Sequence, residues 1–454
     1  MCFSSSEALE AMIQADMLHA FSILCTPLAL AASILGCMSG NRPKSGTSMV
    51  IAAAGLCSFS MIQPLPYYAV LGITMATVSA AFQSLHTSLQ SAKGGKSNTM
   101  SSAALLCKVV WAMMKRGELC QAIACLMWGM HCFVTHVLLE LEDLVLDLMP
   151  ALWQGEVVVI LGHPRSASTH VHHMLSQTLP TSASLTFYDV LFPSLIQWYI
   201  MYPFKPLANM FLSLLDSPQH RIAVDEVAEE QQWLLLKFKD ILLPMLFPAM
   251  VHDPELFRAS CDYTAADMLF IKGCMRRLLI RKPQSKLYIA RMLTFSPWPE
   301  YITEAFPGAK FIVCLRDTEE CLRSFVSLAA VHSGGNPHTP LCKKWAQNCA
   351  DTCTEGCVRG LQRLVDGKVQ AAGSVVQVDF SSWKADTRGS LIFLLKELGM
   401  KGEVETLEAS KEVKVERREK HKSPADLRDC LEGVEIAKKA IHDMNAMLQR
   451  LGVD

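Results

Sequence analysis

The sequence predicts an α/β protein with a parallel sheet flanked by helices, preceded by an all-α transmembrane region. Two observations lead to this fold class. Apolar residues make up 51% of the 454 residues, and the long runs without a charged residue concentrate in roughly the first 140 positions. From about residue 150 onward, short apolar runs alternate with amphipathic stretches. Such alternation is typical of a parallel sheet with helices on its faces.

Composition narrows the classes of function. The formal net charge is −1, so nothing in the charge balance indicates bulk electrostatic binding of nucleic acid. The mean hydropathy of +0.24 is high for a wholly soluble protein. The 17 cysteines include no Cys-x-x-Cys pair and no Cys/His cluster at zinc-finger spacing. We therefore expect no metal site.

The chain begins with an acidic tail, residues 1–16, which is followed by a predicted multi-pass membrane anchor at 17–145. A helix needs about 20 apolar residues to span the hydrocarbon core. Four stretches approach this length and are predicted to be spans: 17–38, 48–63, 67–85 and 121–139. The tail carries Glu7, Glu10 and Asp16 but no basic residue, unlike the start of a signal peptide. Buried helices of a soluble protein are the alternative.

The basic residues predict an orientation, because loops rich in Lys and Arg stay on the cytoplasmic side. Between the predicted spans lie the basic residues Arg42, Lys44, Lys93, Lys96, Lys108, Lys115 and Arg116. With four spans, these loops share one side of the membrane and the acidic flanks share the other. The sequence thus predicts an integral membrane protein of the Golgi or another endomembrane, with its carboxy-terminal domain in the lumen.

The carboxy-terminal domain, residues 150–454, contains four apolar segments that predict strands separated by helical patterns. These segments are Val157–Leu161, Leu287–Ala290, Lys310–Leu315 and Val375–Phe380. The intervening segment 203–286 shows no clear strand pattern, and we predict that it is helical.

The first predicted strand runs into the loop GHPRSAST, residues 162–169, and then into a helix. A strand, a glycine turn and a helix start form an anion site, because free N–H groups and the positive end of the helix dipole converge there. The spacing matches the P-loop GxxxxGK[ST] at Gly162 and Thr169, but Ser168 replaces its lysine. Arg165 supplies positive charge instead. A phosphate-like ligand other than a nucleoside triphosphate fits this loop best.

A second strand end also carries an arginine. Arg316 follows the strand of residues 310–315, and Ser324 comes eight positions later on the presumed next helix. An arginine at the carboxyl end of a parallel strand points into the crevice where open α/β sheets bind ligands. The hydroxyl of Ser324 could close on the same anion.

These two motifs carry a family resemblance. GHPRSAST resembles the 5′-phosphosulfate loop of the sulfotransferases, whose membrane-bound and carbohydrate-type members have the pattern G-x-x-R-S-G-T-T. RDTEECLRS, residues 316–324, is similar to the family's 3′-phosphate motif, and FPGAKFIVCLR is similar to the context that precedes it. The resemblance covers about residues 155–400. It implies a P-loop NTPase-like sulfotransferase fold and 3′-phosphoadenosine-5′-phosphosulfate (PAPS) as the co-substrate.

The resemblance also implies roles for individual residues. Arg165 would contact the phosphosulfate and its bridging oxygen, while Arg316 and Ser324 would bind the 3′-phosphate. The implied PAPS-binding residues are Gly162, Pro164, Arg165, Ser166, Ala167, Ser168, Thr169, Arg316 and Ser324.

Three positions depart from the family pattern. Ala167 stands where the family has glycine, and a Cβ strains that position if its φ is positive. Thr318 replaces the proline of the 3′-phosphate motif, and Arg291 sits where the family commonly has lysine. A diverged or inactive enzyme is therefore an open alternative.

Sulfuryl transfer also needs a general base for the acceptor. Glu229 and Glu230 stand where the family often has a Glu-Asp pair, within the segment 203–286 expected on the acceptor side. We therefore predict Arg165, Glu229 and Glu230 as catalytic residues, with His163 as a rival base. A solvated acidic helix face is the alternative for the two glutamates.

The sequence as a whole predicts a membrane-anchored, PAPS-dependent sulfotransferase. Its acceptor is a hydroxyl or amine of a glycan, lipid, peptide or small alcohol. Two alternatives stay open: a P-loop kinase or NTPase, and a catalytically inactive membrane-anchored nucleotide-binding protein.

Overall fold

A computed structural model describes most of the chain from residue 102 onward. The described residues are 102–149, 153, 155–179, 181–206, 208–209, 223–317, 319–321, 324–325, 344, 348, 355–370, 372–409 and 446. The acidic tail, the predicted spans 17–38, 48–63 and 67–85, and Thr318 lie outside them.

Among the described residues, the strands form one five-stranded parallel sheet with the order β2-β3-β1-β4-β5. The strands are β1 (Glu156–Gly162), β2 (Ser182–Ala183), β3 (Leu287–Arg291), β4 (Lys310–Leu315) and β5 (Val375–Asp379). The four predicted strands are confirmed to within one residue at either end. The edge strand β2 was missed because two residues are too few to show a pattern.

Strand β1 lies in the middle of the sheet because both of its faces are apolar. Val159 and Leu161 pack into the hydrophobic core on one face, and Val158 and Ile160 pack into a second core on the other. All four side chains are buried. A strand covered on both faces reads as an unbroken apolar run, as the VVVIL segment does.

Helices flank the sheet on both faces, as predicted. The described helices are α1 (Ser102–Lys115), α2 (Leu119–Leu146), α3 (Ser168–Thr178), α4 (Phe187–Leu191), α5 (Leu195–Met201), α6 (Leu243–Leu246), α7 (Pro254–Ser260), α8 (Ala265–Arg281), α9 (Pro299–Ala305), α10 (Glu355–Val365), α11 (Phe380–Ala385), α12 (Thr387–Glu397) and α13 (Lys401–Ala409). Described 3₁₀ turns are Tyr202–Phe204, Glu230–Lys237, Pro248–His252 and Leu293–Phe295. Apart from one bridge at Val227, the described part of 203–286 contains only helices, 3₁₀ turns and loops.

The chain divides into two compact units, Met1–Val134 and Thr135–Asp454. In the first, the described residues form α1 and the first half of α2. The second, the α/β unit, contains the sheet and the remaining helices.

One helical stretch of the described residues, Ala124–Leu146, is long and apolar enough to cross a membrane. It overlaps the predicted span 121–139. Length and composition alone are weak evidence, since core helices of soluble proteins meet the same criterion. The predicted transmembrane region is therefore not confirmed.

Within the α/β unit, to which residues 135–146 of α2 belong, the end of α2 is joined to α8 by a buried ion pair. Glu142 accepts a hydrogen bond from the Nε of Arg277 at 2.7 Å, and both side chains are at least 94% buried. Arg277 also donates to Asp143 at 2.7 Å. Removing one partner of such a pair typically costs about 3–5 kcal/mol, because the other is left as an uncompensated buried charge.

Candidate active site

The loop between β1 and α3 begins with a glycine that no other residue can replace without strain. Gly162 has φ +154°, and a Cβ at this position would lie 2.7 Å from the carbonyl oxygen of Cys314 and 2.7 Å from the hydroxyl of Ser166. The backbone of β1 therefore passes close to β4 at its carboxyl end. The loop then turns back on itself, with the N–H of Ser166 donating to the carbonyl of His163 at 3.0 Å.

Two non-glycine residues of this loop adopt positive φ. Arg165 has φ 73°, and Ala167, which precedes α3, has φ 67° and ψ 12°. A left-handed backbone costs an L-residue roughly 1–2 kcal/mol. The structure thus places a methyl group at 167 in the conformation that the family's glycine would adopt freely. Strain of this kind concentrates at functional sites.

The structure brings the two sequence motifs together at the carboxyl edge of the sheet. The Nε of Arg165 donates to the hydroxyl of Ser324 at 3.0 Å, and the Nη1 of Arg316 donates to the carbonyl of Arg165 at 3.1 Å. This edge of a parallel sheet is where open α/β folds bind ligands. Burial lowers the pKa of Arg165, and the charge of Arg316 lowers it further. The two guanidinium groups therefore form a concentrated positive site that suits an anion.

Arg316 makes contacts that the sequence analysis did not anticipate. Its Nε and Nη2 donate to one carboxylate oxygen of Glu320 at 3.2 and 3.0 Å. Its guanidinium carbon also lies 4.6 Å from the ring centroid of Phe380. A carboxylate thus occupies the fork of the arginine assigned to the 3′-phosphate. The i, i+4 spacing of Arg316 and Glu320 was the sequence signal for this contact.

The adjacent carboxylates Glu229 and Glu230 have different environments. Glu230 is fully buried and accepts hydrogen bonds from the hydroxyl of Tyr288 at 2.9 Å and from the N–H of Arg291 at 2.6 Å. Burial raises the pKa of Glu230 to about 7. The side chain of Glu229 is 21% exposed and lies 3.1 Å from the Nη2 of Arg291. Only Glu229 is therefore open to a substrate.

Arg291 is the functional candidate that the sequence analysis noted only as a departure. Its side chain is 4% exposed at the end of β3, paired in register with Ile160 of β1. Its Nε and Nη1 are buried and have no hydrogen-bond partner among the described residues. Buried donors of a charged group normally find an acceptor. Two of its donors are thus free for an anion beside the loop.

His163 faces the interior of the loop. It is 4% exposed, and its Nδ1 lies 2.7 Å from the carbonyl oxygen of Pro164, to which it donates. Burial lowers its pKa to about 4, so the ring is neutral at physiological pH. These contacts suit a residue that holds the loop's shape.

A small apolar pocket opens beside Pro164 of the loop. Its cavity volume is about 10 Å³, roughly the room that one water molecule needs. It is lined by Pro164, Cys261, Tyr263, Leu293, Thr294, Pro297, Trp298 and Cys357. Cys261 and Tyr263 belong to the segment 203–286 that was expected on the acceptor side. Within the described part of the chain, no group of three His, Cys, Asp or Glu side chains could hold a metal ion.

Comparison with known proteins points to one family. A family model described as the sulfotransferase family matches residues 157–403. Sulfotransferase STF1 from Mycobacterium tuberculosis H37Rv is similar in structure, with a TM-score of 0.52, 16% sequence identity, and coverage of 79% of this chain and 97% of that one. Sulfotransferase STF9 from Mycobacterium avium gives a TM-score of 0.48 at 13% identity, covering 70% of this chain and 82% of that one. No curated protein matches the chain significantly.

Proposed function

The chain belongs to the sulfotransferase family, and from this premise we propose that it transfers the sulfuryl group of PAPS to a hydroxyl or amine of an acceptor. The observation that carries the proposal is the 3.0 Å contact between Arg165 and Ser324. It joins the motif assigned to the 5′-phosphosulfate to the motif assigned to the 3′-phosphate. One nucleotide bearing both groups would contact both motifs.

The donor would be held from its two phosphate ends. The loop residues Gly162 to Thr169 and the start of α3 would surround the 5′-phosphosulfate with N–H and hydroxyl donors. Arg316 and Ser324 would bind the 3′-phosphate, with Glu320 moving away from the guanidinium as the phosphate arrives. A bidentate arginine suits a phosphate better than a single point charge does.

The transfer itself would use one base and one cation. The acceptor oxygen or nitrogen attacks sulfur while the bond from sulfur to the bridging oxygen breaks, and the electron pair stays on the leaving phosphate. Glu229 would take the acceptor's proton, and Arg165 would neutralise the charge developing on the bridging oxygen. Glu230 is sealed from the acceptor by burial, so its role would be to position the end of β3. His163 remains the rival base.

The acceptor would lie against the pocket beside Pro164. The pocket has room for about one water molecule, so its aromatic and aliphatic rim, rather than its interior, would contact the acceptor. We also propose that the protein is anchored in the membrane of the Golgi or another endomembrane, with the α/β unit in the lumen. The apolar stretch Ala124–Leu146 and the basic loops between the predicted spans support this location.

Thermal unfolding of the purified full-length chain tests the donor class. Adenosine 3′,5′-bisphosphate, which lacks the reactive sulfuryl group, is compared with ATP. A ligand at a hundred times its Kd adds about 2.7 kcal/mol to stability. We expect stabilisation by the bisphosphate, little by ATP, and loss of the effect in Arg316→Ala. Arg388→Ala is the matched control, because Arg388 donates to the carbonyls of Leu407 and Glu408 near the end of α13.

The outcomes separate the three functions. Preference for ATP with magnesium would favour a kinase or NTPase. An inactive nucleotide-binding protein would bind the bisphosphate but would not form it from PAPS. A panel of glycan, lipid, peptide and alcohol acceptors tests for that release. Release of bisphosphate with an acceptor, lost in Arg165→Ala, would establish the transfer.

A further inference from the structure

The last turns of α2 present two different faces. The inward face carries Leu139 and Glu142, both of which are buried against the α/β unit. The outward face exposes the apolar side chains of Leu141, Leu144 and Val145, and Leu148, in the turn after α2, is 86% exposed. A helix that is already packed on one side normally turns polar residues to water on the other. This helix end does not.

Helix α5 and the 3₁₀ turn after it show the same feature. Tyr199 and Ile200 are each 63% exposed, and Phe204 is 53% exposed. On the inward side of α5, Gln197 is buried.

Helices α2 and α5 contact each other through their buried sides. Glu142 of α2 accepts hydrogen bonds from the hydroxyl of Ser194 at 2.6 Å and from the N–H of Ile196 at 2.8 Å, so α5 starts against the end of α2. We call the exposed apolar side chains of residues 141–149 and 196–204 the apolar surface. Exposed apolar patches of this kind on a soluble domain often mark a contact with a membrane or a partner.

The composition of this surface fits a bilayer. The surface includes the exposed rings of Tyr199 and Tyr202, and a lysine lies beside the second, with the Nζ of Lys205 5.8 Å from the ring centroid of Tyr202. Aromatic residues and lysines with long apolar stems are typical of the membrane–water interface. The surface is also continuous with the apolar stretch that ends at Leu146, the described stretch that could cross a membrane.

Two basic residues beside the surface are paired with carboxylates, which restricts the lipid chemistry. Lys205 contacts Asp225 at 2.5 Å, and Arg276 contacts Asp147 at 3.0 Å. Neutral pairs give no net attraction to anionic headgroups. Apolar insertion is then the main source of affinity.

We propose that the apolar surface docks the α/β unit on a lipid bilayer, by apolar insertion and without preference for anionic lipid. The proposal rests on the proposed membrane anchorage and is independent of the sulfuryl transfer. It would hold the site-bearing unit against the membrane rather than leave it on a free tether.

Photo-cross-linking of the full-length chain in phosphatidylcholine vesicles tests the proposal. Tyr199 is replaced by p-benzoylphenylalanine, and adducts are identified by mass spectrometry after illumination. The matched control carries the same residue at Phe393, which is 54% exposed on α12. We expect lipid adducts at position 199 and none at 393. Adding anionic lipid or salt should leave the adducts at 199 unchanged.

Each other result contradicts the proposal in a distinguishable way. Adducts at 199 to a second chain, or to residues 1–101 of the same chain, would assign the surface to a protein contact. If the chain associates with the vesicles but position 199 forms no more lipid adducts than position 393, docking by the apolar surface is wrong and the membrane anchorage still holds. A chain that does not associate with vesicles would reject both. Bisphosphate release from PAPS, measured on the same samples, reports the transfer separately.

Discussion

The Nε of Arg165 lies 3.0 Å from the hydroxyl of Ser324, although the two residues are 159 positions apart in the chain. Arg316 adds a second link by donating to the carbonyl of Arg165 at 3.1 Å. An arginine held from two sides loses little conformational freedom when an anion binds, and such preorganisation is what stabilises developing charge. The fold therefore positions Arg165 before any donor arrives.

The strained backbone at Ala167 should be relieved by glycine. We expect Ala167→Gly to raise the free energy of unfolding by about 0.5–1 kcal/mol, because loss of the left-handed strain exceeds the entropy that glycine adds to the unfolded chain. Chemical denaturation measures the change. Ala259→Gly, inside α7, is the control and should destabilise by up to about 1 kcal/mol. Destabilisation by both substitutions would mean that the loop tolerates its alanine without strain.

Glu320 should compete with the 3′-phosphate for Arg316. In the free protein it occupies Nε and Nη2, and after binding it would be an unpaired anion beside the phosphate. An exposed pair contributes about 0.3–0.5 kcal/mol, and like-charge repulsion at this range adds about 1 kcal/mol in water. We expect Glu320→Gln to tighten binding of adenosine 3′,5′-bisphosphate about tenfold by calorimetry.

The control for this prediction is Glu319→Gln, which removes the same charge one residue earlier. Equal tightening by both variants would attribute the effect to net charge. No tightening by Glu320→Gln would show that the carboxylate leaves the guanidinium without a cost to binding.

The sequence was sufficient for the parts of the site that depend on local pattern. The apolar runs located β1, β3, β4 and β5, and the glycine turn and strand-end arginines located the anion site. The comparison with the family's glycine also anticipated that a positive φ at Ala167 would be strained. Each of these features is encoded within about ten consecutive residues.

The features that the sequence could not show depend on contacts across long separations. Nothing in the Glu229-Glu230 dipeptide indicates that Glu230 is enclosed by Tyr288 and Arg291, some 60 positions away. Likewise, the sequence places Glu142 in the acidic flank that follows the predicted span 121–139. In the structure it is buried against Arg277, which is 135 positions away. Burial of a charged group is decided by the tertiary partner, which periodicity does not reveal.

Exposure distinguishes Glu229 as the acceptor-side base. We expect Glu229→Gln to lower kcat by about 10²-fold or more and to leave the Kd of adenosine 3′,5′-bisphosphate nearly unchanged, because a general base acts in the transfer and not in donor binding. Glu226→Gln removes the same charge three residues earlier and should keep kcat. If Glu229→Gln remained active while His163→Gln lost kcat with intact donor binding, the base would be His163.

The buried Glu230 should make the protein less stable as pH rises. Burial raises its pKa from 4.5 to about 7, so the folded state holds the proton more tightly than the unfolded state does. This contribution is complete below pH 4.5, is lost between pH 4.5 and 7, and amounts to about 3 kcal/mol. His163, whose pKa burial lowers to about 4, contributes with the opposite sign below pH 6.5.

Unfolding free energies of wild type and Glu230→Gln, measured from pH 5 to 8, isolate the contribution of Glu230. Glutamine can accept from the N–H of Arg291 and donate to Tyr288, so the variant should fold, and its stability relative to wild type should rise with pH up to about 7. Parallel curves for the two proteins would show that Glu230 does not titrate in this window and that its carboxylate is charged in the folded core.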